Sequence, residues 1–397
     1  MPTNTPTPVE LPQPDETEKQ RSLALCAFIA NSCKQQGGAI SFGEFMQAAL
    51  YQPGLGYYSG GRQKFGEHGD FITAPEVSPL FSRCIARQLA QVLAQMEHAV
   101  VIEFGAGSGV MAAEILLELE RVNCLPDSYR IIELSAELRA RQKLMIDERA
   151  LHLAHKLEWL DSLPESPVQG VVIANEVLDA MPVECFRIAG DSVEQLNVKT
   201  DGDQLCACYD AASDELVKQV RTIEERRGAS LPDGYCSEVN PSIAGWLQSI
   251  GRFLDKGMVL LVDYGYPVSE YYLDERNHGT LICHYRHHAH SDAVWYPGLQ
   301  DITAFVDFTA VAYAAVDAGF DVSGYTSQAM FLMGCGLGEL HAAEVNDDVT
   351  QQLLLSQQIK TLTLPSEMGE RFKAMALTKE FDEPLIGFMQ QDYRNRL

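Results

Sequence analysis

Short apolar runs alternate with amphipathic segments through the middle of the chain. The runs are AVVIEF, YRIIELS, GVVIAN and GMVLLVDYGY, and helical periodicity is clear in VMAAEILLELER and AELRARQKLMIDERA between them. Apolar runs of this length are typical of strands buried on both faces, as in parallel sheets. Because such strands alternate with helices, the pattern predicts an α/β fold with a doubly wound, mostly parallel seven-stranded sheet.

The same pattern predicts how the remaining chain is organised. Residues 1–20 are rich in proline, threonine and acidic residues and are predicted to form a disordered tail, before an N-terminal helical and lid segment at 21–97. We assign residues 98–182 and 257–397 to the two halves of the sheet domain. Residues 183–256 contain strand pieces followed by two helices, which predicts an inserted subdomain over the carboxyl edge of the sheet.

Three later segments complete the expected sheet domain. ITAFVDFTAVAYAAVDAG has the periodicity of a helix, and a further helix is expected near 340–360. The apolar runs GYTSQAMFLMGCG and FKAMALTKEF are predicted to be the last two strands.

Charge and composition narrow the function classes. Acidic residues outnumber basic ones 55 to 30, and the net charge of −25 disfavours a nucleic-acid surface. It would attract cationic partners, although an acidic surface that serves solubility alone is the alternative. The N-terminal residues lack an apolar signal region, and no run reaches the roughly 18 apolar residues of a membrane helix, so a cytoplasmic protein without membrane contact is expected. Ten scattered cysteines without a C-x-x-C pair predict reduced thiols.

A glycine-rich turn follows the first predicted strand. VIEFGAGSGV places Gly105, Gly107 and Gly109 between a strand and a helix, where glycine permits a tight turn and close approach to a ligand. The dinucleotide fingerprint G-x-G-x-x-G would need its third glycine at Val110. The spacing G-x-G-x-G, with Glu103 two residues before the first glycine, is instead that of a turn that binds S-adenosylmethionine. A turn that serves packing alone is the alternative.

Carboxylates and an amide follow two other predicted strands. Glu133 lies at the end of the strand predicted in YRIIELS, where an acid can bind both hydroxyls of a ribose, although a solvated strand-end carboxylate is the alternative. Asn175 ends GVVIAN, and Glu176 and Asp179 follow it, at the strand ends where doubly wound sheets bind ligands. They would face the transferable methyl group. The alternative is a helix N-terminus in which Asn175 is the cap and the two acids favour the helix dipole.

At this point the chain resembles the MidA family of class I methyltransferases, related to a mitochondrial arginine methyltransferase that assists assembly of respiratory complex I. The resemblance covers most of residues 51–380 and is carried by GYYSGGRQKFGEHGDFITAPEVSPLF, VIEFGAGSG, IIELSAELRARQ, IANEVLDAMPVECF, LVDYGY, GLQDITAFVDFTA and FKAMAL. This sequence departs from the family pattern at Ala106 (usually proline), at Val177-Leu178 (usually aromatic) and at Phe305 (commonly histidine).

The resemblance implies transfer of a methyl group from S-adenosylmethionine to a protein arginine. Glu176 and Asp179, together with Glu76, are the candidate catalytic residues, and Glu238 and Asp263 are further candidates for holding the acceptor. The expected partner is a protein that presents an arginine, such as a subunit of respiratory complex I. The expected cofactor ligands are Glu103, Gly105, Gly107, Ser108, Gly109, Glu133, Leu134 and Asn175.

Two segments admit more than one interpretation. The glycine-rich stretch 51–79 is a lid over the cofactor or an inert wrap. The histidine-rich run CHYRHHAHSD at 283–292 matches no familiar zinc spacing, and we expect it to line the substrate entrance without a metal.

Two other functions stay open. One is an assembly factor that binds S-adenosylmethionine without turnover, and the other is an NAD-dependent oxidoreductase, which the glycine spacing disfavours.

Overall fold

The computed structural model describes residues 11–60, 72–202, 204–345 and 347–397. The helices are α1 Glu16–Gln35, α2 Phe42–Tyr51, α3 Ala74–Val77, α4 Pro79–Leu93, α5 Val110–Arg121, α6 Ala136–Ala150, α7 Asp214–Arg227, α8 Ile243–Phe253, α9 Val268–Tyr271, α10 Phe308–Asp317, α11 Gln328–Gly334, α12 Leu337–Glu344, α13 Val349–Thr363 and α14 Met368–Arg371. The strands are β1 Ala39–Ser41, β2 Val100–Phe104, β3 Ser128–Ile132, β4 Leu157–Leu160, β5 Val168–Asn175, β6 Glu184–Ala189, β7 Ser192–Asp201, β8 Gln204–Ala211, β9 Cys236–Val239, β10 Leu254–Tyr266, β11 Ile282–Tyr285, β12 His288–His290, β13 Asp301–Thr303, β14 Val306–Asp307, β15 Asp321–Ser327 and β16 Phe372–Lys379. None of these helices is long and apolar enough to span a membrane.

The central sheet has the strand order β15-β16-β10-β5-β2-β3-β4, with the short β14 paired to β10. The neighbours from β10 to β4 are parallel, and β16 runs antiparallel between β10 and β15. Alternate residues of β5 enter opposite cores: Val171 and Ile173 pack on one face, and Val172 and Ala174 on the other. The apolar runs are therefore strands covered on both faces. The predicted fold class is confirmed.

The inserted segment forms a second sheet, which the N-terminal segment completes. Its order is β1-β7-β6-β9, with β8 also paired to β7, and β1 joins antiparallel to β7 with Ala39 opposite Lys199. Leu25 of α1 and Phe45 of α2 share one buried core with Val198 of β7. The N-terminal segment and the insertion therefore form one packed unit.

Several predicted boundaries shift. The prediction that residues 1–20 form a disordered tail is wrong for residues 16–20, which are helical, with Asp15 as the cap of α1. Residues 1–10 lie outside the described part. The insertion 183–256 also ends too late, since α8 packs its apolar face on the central sheet. Strand β9 lies between the two helices predicted there.

The run GYTSQAMFLMGCG was expected to be a strand, and this prediction is wrong for most of it. Strand β15 ends at Ser327, and the apolar residues that follow form α11. Phe331 and Leu332 are buried in the central core. Alanine, methionine and leucine favour a helix, and a short apolar run does not by itself distinguish helix from strand.

The segment ITAFVDFTAVAYAAVDAG likewise begins as β13 and β14. Its helix, α10, starts at Phe308, where Asp307 accepts hydrogen bonds from the backbone N–H groups of Thr309 and Ala310.

Candidate active site

The carboxyl ends of β2, β3, β5 and β10 open into a cleft of about 1060 Å³. Parallel strands place their carboxyl ends at one edge of a sheet, where ligands bind in doubly wound folds. Seven carboxylates line the described part of this cleft, whereas Arg371 is its only lysine or arginine. The acidic lining residues are Glu76, Glu103, Glu133, Glu137, Glu176, Asp179 and Asp301.

We call the part of the cleft around residues 103–109 and 132–138 the donor half. Gly105, Gly107 and Gly109 all have positive φ angles (63°, 54° and 88°), which residues with a Cβ rarely adopt. Gly105 N–H donates to the carbonyl of Ile132 at 3.1 Å, so the glycine turn is fastened to the next strand. Gly109 does not line the cleft; a Cβ there would lie 2.9 Å from Cα of Gln142, so it serves helix packing.

Glu103 lies beneath the glycine turn and is fully buried. Its Oε2 accepts a hydrogen bond from Tyr129 at 2.7 Å, and its Oε1 has no partner among the described residues. Burial raises the pKa of Glu103 to about 7, although the Tyr129 hydrogen bond opposes this. A cationic ammonium group from a ligand would satisfy the remaining oxygen.

Glu133 belongs to a hydrogen-bond network, and the alternative of a solvated surface carboxylate is wrong. It accepts from Ser135 N–H at 2.8 Å and from Nε2 of Gln142 at 3.2 Å. The same nitrogen donates to the carbonyl of Gly107, and Trp159 fixes the other end of the Gln142 amide at 2.9 Å. Beside it, the predicted cofactor ligand Leu134 lines the cleft with 81% of its surface exposed. The signal for Gln142 in the sequence was that it ends IIELSAELRARQ, a segment that resembles the family, whereas Trp159 carried no motif.

We call the part of the cleft around residues 175–180, with Asp301 and two tyrosines described below, the acceptor half. Asn175 ends β5, and Glu176 follows with a φ of 51°. No helix starts here among the described residues, so the helix-cap alternative is wrong. Glu176 N–H instead donates to the carbonyl of Val262 at 2.9 Å, and its Oε1 accepts from Asn175 Nδ2 at 3.2 Å.

The two carboxylates of this turn lie in an environment that disfavours negative charge. Burial, followed by the nearby Asp179, raises the pKa of Glu176 to about 8. Burial raises the pKa of Asp179 to about 6, against a hydrogen bond with Tyr264. Its Oδ1 is buried without a hydrogen-bond partner among the described residues. A cation bound here would relieve the cost of both charges.

Three further residues of the acceptor half were missed by the sequence analysis. Tyr51 donates to the carbonyl of Ala180 at 2.8 Å, and Tyr58, stacked on Tyr51 with ring centroids 5.5 Å apart, donates to Asp301 at 3.0 Å. They come from segments far apart in the chain, so no spacing links them. The available signal was that Tyr58, in YYSGG, and Asp301, in GLQDITAFVDF, belong to segments that resemble the family, and Tyr51 lies outside those segments.

Of the three remaining candidate carboxylates, one lines the cleft and two do not. Glu76 lines the cleft and accepts a hydrogen bond from Ser108, which places it beside the donor half. Glu238 is wrong as an acceptor ligand, because it lies outside this cleft and is satisfied by Tyr271 at 2.9 Å and Thr280 N–H at 2.7 Å. Asp263 does not line the cleft either; it accepts backbone N–H groups behind it.

The histidine-rich run forms β11 and β12, and His284 lines the cleft. The described residues contain no group of three or more His, Cys, Asp or Glu side chains placed to hold a metal. Of the predicted lid, residues 61–71 lie outside the described part, while Tyr51, Pro53 and Tyr58 form part of the cleft wall.

Comparisons with known proteins agree with this geometry. The sequence model of a family of S-adenosyl-L-methionine-dependent methyltransferases matches residues 84–326. A protein of Burkholderia thailandensis, crystallised with S-adenosylhomocysteine, is 39% identical; the alignment covers 98% of this chain and 100% of that chain, with a TM-score of 0.92.

Two curated relatives carry more specific names. The mitochondrial protein arginine methyltransferase NDUFAF7 homolog of Caenorhabditis elegans is 28% identical over 92% of this chain and 89% of its own. The Bos taurus protein arginine methyltransferase NDUFAF7 is 27% identical over 86% and 80% of the two chains.

The fold and the cleft together define a class I methyltransferase that uses S-adenosylmethionine. The chain belongs to the MidA family of these enzymes. Its residues fit the cofactor: the unpartnered oxygen of buried Glu103 suits an ammonium group, the glycine turn admits close approach, and Glu133 is fixed at the strand end where a ribose binds.

Proposed function

We propose that this enzyme methylates an arginine side chain of a partner protein. The observation that carries the proposal is the pair of half-buried Glu176 and buried Asp179, which have no lysine or arginine beside them in the described acceptor half. The names of the curated relatives support the same substrate class.

A guanidinium group suits this pair of carboxylates. It is planar, always charged, and donates hydrogen bonds in a fork that two carboxylate oxygens can accept. The unpartnered Oδ1 of Asp179 would accept one of these hydrogen bonds. The stacked Tyr51 and Tyr58 form an aromatic wall along which the aliphatic part of the substrate side chain would lie.

S-adenosylmethionine supplies an electrophilic methyl group, and the protein has to align the acceptor nitrogen and remove one proton. Methylation replaces an N–H bond of the guanidinium with an N–C bond, so that proton must leave. Burial raises the pKa of Glu176, and a bound guanidinium cation would lower it again and favour the ionised carboxylate, which can then accept this proton.

The proposal is tested by incubating a cell lysate with purified enzyme and isotopically labelled S-adenosylmethionine, followed by mass spectrometry of labelled peptides. Asp179→Asn is the inactive comparison, and Glu165→Gln, an exposed loop residue, is the matched control. We expect label on arginine with the wild type and the control only. Label on lysine, glutamine or a small molecule would refute the arginine assignment, and binding without any transfer would favour the assembly-factor function.

Partner and location are part of the proposal. By the family resemblance, a respiratory complex I subunit is the expected acceptor. The net charge of −25 supports a cationic protein segment as substrate over a nucleic acid. The cytoplasmic location stays a prediction.

A further inference from the structure

The turn that carries Glu176 and Asp179 is held by groups from outside it. It contains no helix, and Glu176 has a left-handed backbone (φ 51°) that a residue with a side chain rarely adopts. Such a conformation persists only where its surroundings fix it. What fixes this turn also fixes the direction of the catalytic carboxylates.

Asp263, near the end of the adjacent strand β10, holds the turn through two hydrogen bonds from one side chain. Its Oδ2 accepts from the backbone N–H of Leu178 at 3.0 Å and of Asp179 at 3.3 Å. Its Oδ1 accepts from its own neighbour Tyr264 at 2.9 Å. The side chain is fully buried and does not line the cleft, so it cannot reach a substrate.

Other contacts hold the carbonyl side of the turn. Ala304 N–H donates to the carbonyl of Asp179 at 3.0 Å, and Asn240 donates to that of Leu178 at 3.4 Å. In the described chain Asp263 is the side chain that accepts consecutive N–H groups of the turn, including that of Asp179 itself. Without it, two buried N–H groups would have no acceptor.

We propose that Asp263 is a positioning residue: it fixes the backbone at Leu178 and Asp179 so that the Asp179 carboxylate points into the acceptor half. Methyl transfer is sensitive to alignment, and a misplacement of about 1 Å can reduce a rate about a hundredfold. The inference rests on the proposed function for the role of Asp179 in holding the acceptor and for the identity of that acceptor.

Two substitutions separate positioning from charge. Asp263→Ala removes the acceptor oxygens, and we expect kcat to fall about a hundredfold with little change in affinity for S-adenosylhomocysteine. Asp263→Asn keeps one oxygen for the N–H groups of Leu178 and Asp179 and loses the contact with Tyr264, so kcat should stay within about tenfold of wild type. Asp255→Asn, an exposed position on the same strand, should have no effect.

Hydrogen–deuterium exchange of the peptide covering residues 175–182, in the full-length protein, gives a readout that does not need turnover. We expect faster exchange in Asp263→Ala and near-normal exchange in Asp263→Asn, with melting temperatures that show both variants folded. If Asp263→Ala cannot be purified folded, Asp263→Asn alone still tests the inference.

Wild-type kcat or unchanged exchange in Asp263→Ala would overturn the inference. A hundredfold loss of kcat in Asp263→Asn would also overturn it, because the negative charge of Asp263 would then be the decisive property. If the labelled residue proves not to be arginine, the proposed function fails, but the rates of these variants on that acceptor still decide the role of Asp263.

Discussion

The two halves of the cleft are built in different ways. The donor half comes from two consecutive strand ends, and Gln142, which lies behind it, joins Glu133 to the carbonyl of Gly107 by hydrogen bonds. The acceptor half is assembled from distant segments, and neither Glu176 nor Asp179 has a lysine or arginine beside it among the described residues of the cleft. The donor half is thus preorganised for a constant ligand, while under the proposed function the charge of the substrate completes the acceptor half.

The largest expected effect is in the acceptor half. Glu176→Gln should reduce turnover about 10²- to 10⁴-fold, the usual range for a group that transfers a proton, because an amide neither balances a guanidinium nor accepts its proton. Steady-state rates on the labelled acceptor measure this, with Glu165→Gln as the control. A wild-type rate in Glu176→Gln would move proton removal to another group.

In the donor half, Gly107→Val should weaken binding of S-adenosylhomocysteine by roughly 3 kcal/mol, about a hundredfold, because a branched side chain at a φ of 54° distorts the turn and fills ligand space. Calorimetric titration measures it. Gly319→Val imposes similar backbone strain away from the cleft, at a φ of 85°, and should keep normal affinity. Normal affinity in Gly107→Val would mean that the cofactor does not lie on this turn.

A smaller effect is expected for Glu133→Ala. Loss of a carboxylate that binds ribose hydroxyls should weaken S-adenosylhomocysteine binding by about 1–3 kcal/mol. Glu158→Ala, on the neighbouring strand β4 and outside the cleft, is the matched control. Equal affinities of the two variants would assign Glu133 to holding the glycine turn only.

The last prediction concerns stability and pH, and not activity or binding. The pKa of Glu176 is raised from 4.5 to about 8, so folding favours its protonated form. This contribution to stability is complete below about pH 4.5 and is lost as pH rises towards 8. Differential scanning calorimetry without ligand should therefore show the melting temperature of Glu176→Gln rising relative to wild type between pH 5 and pH 8. Parallel curves for the two proteins would contradict the raised pKa.

The difference between the two halves of the cleft also explains how much of the fold and of the site could be predicted from the sequence. The central sheet and the donor half follow local patterns: apolar runs of strand length, glycines at fixed spacing, and an acid at the next strand end. Glu103, Gly105, Gly107 and Glu133 were all found in this way and all line the cleft.

The acceptor half was only partly predictable, because its contacts are not local. Glu176 and Asp179 followed from the strand end, but Tyr51, Tyr58 and Asp301 reach the cleft only through the packing of the N-terminal segment on the insertion. Hydrophobic periodicity carries no information on such pairings. For the same reason the pairing of β1 with β7 was not predicted.

The central claim is that cofactor and acceptor are bound by separable halves of one cleft. The most direct test measures two quantities on Asp179→Asn: its affinity for S-adenosylhomocysteine by calorimetry, and its single-turnover rate of methyl transfer to the identified acceptor. We predict wild-type affinity together with a rate at least about a hundredfold lower. A wild-type rate, or a rate that falls only in proportion to a loss of cofactor affinity, would contradict the account.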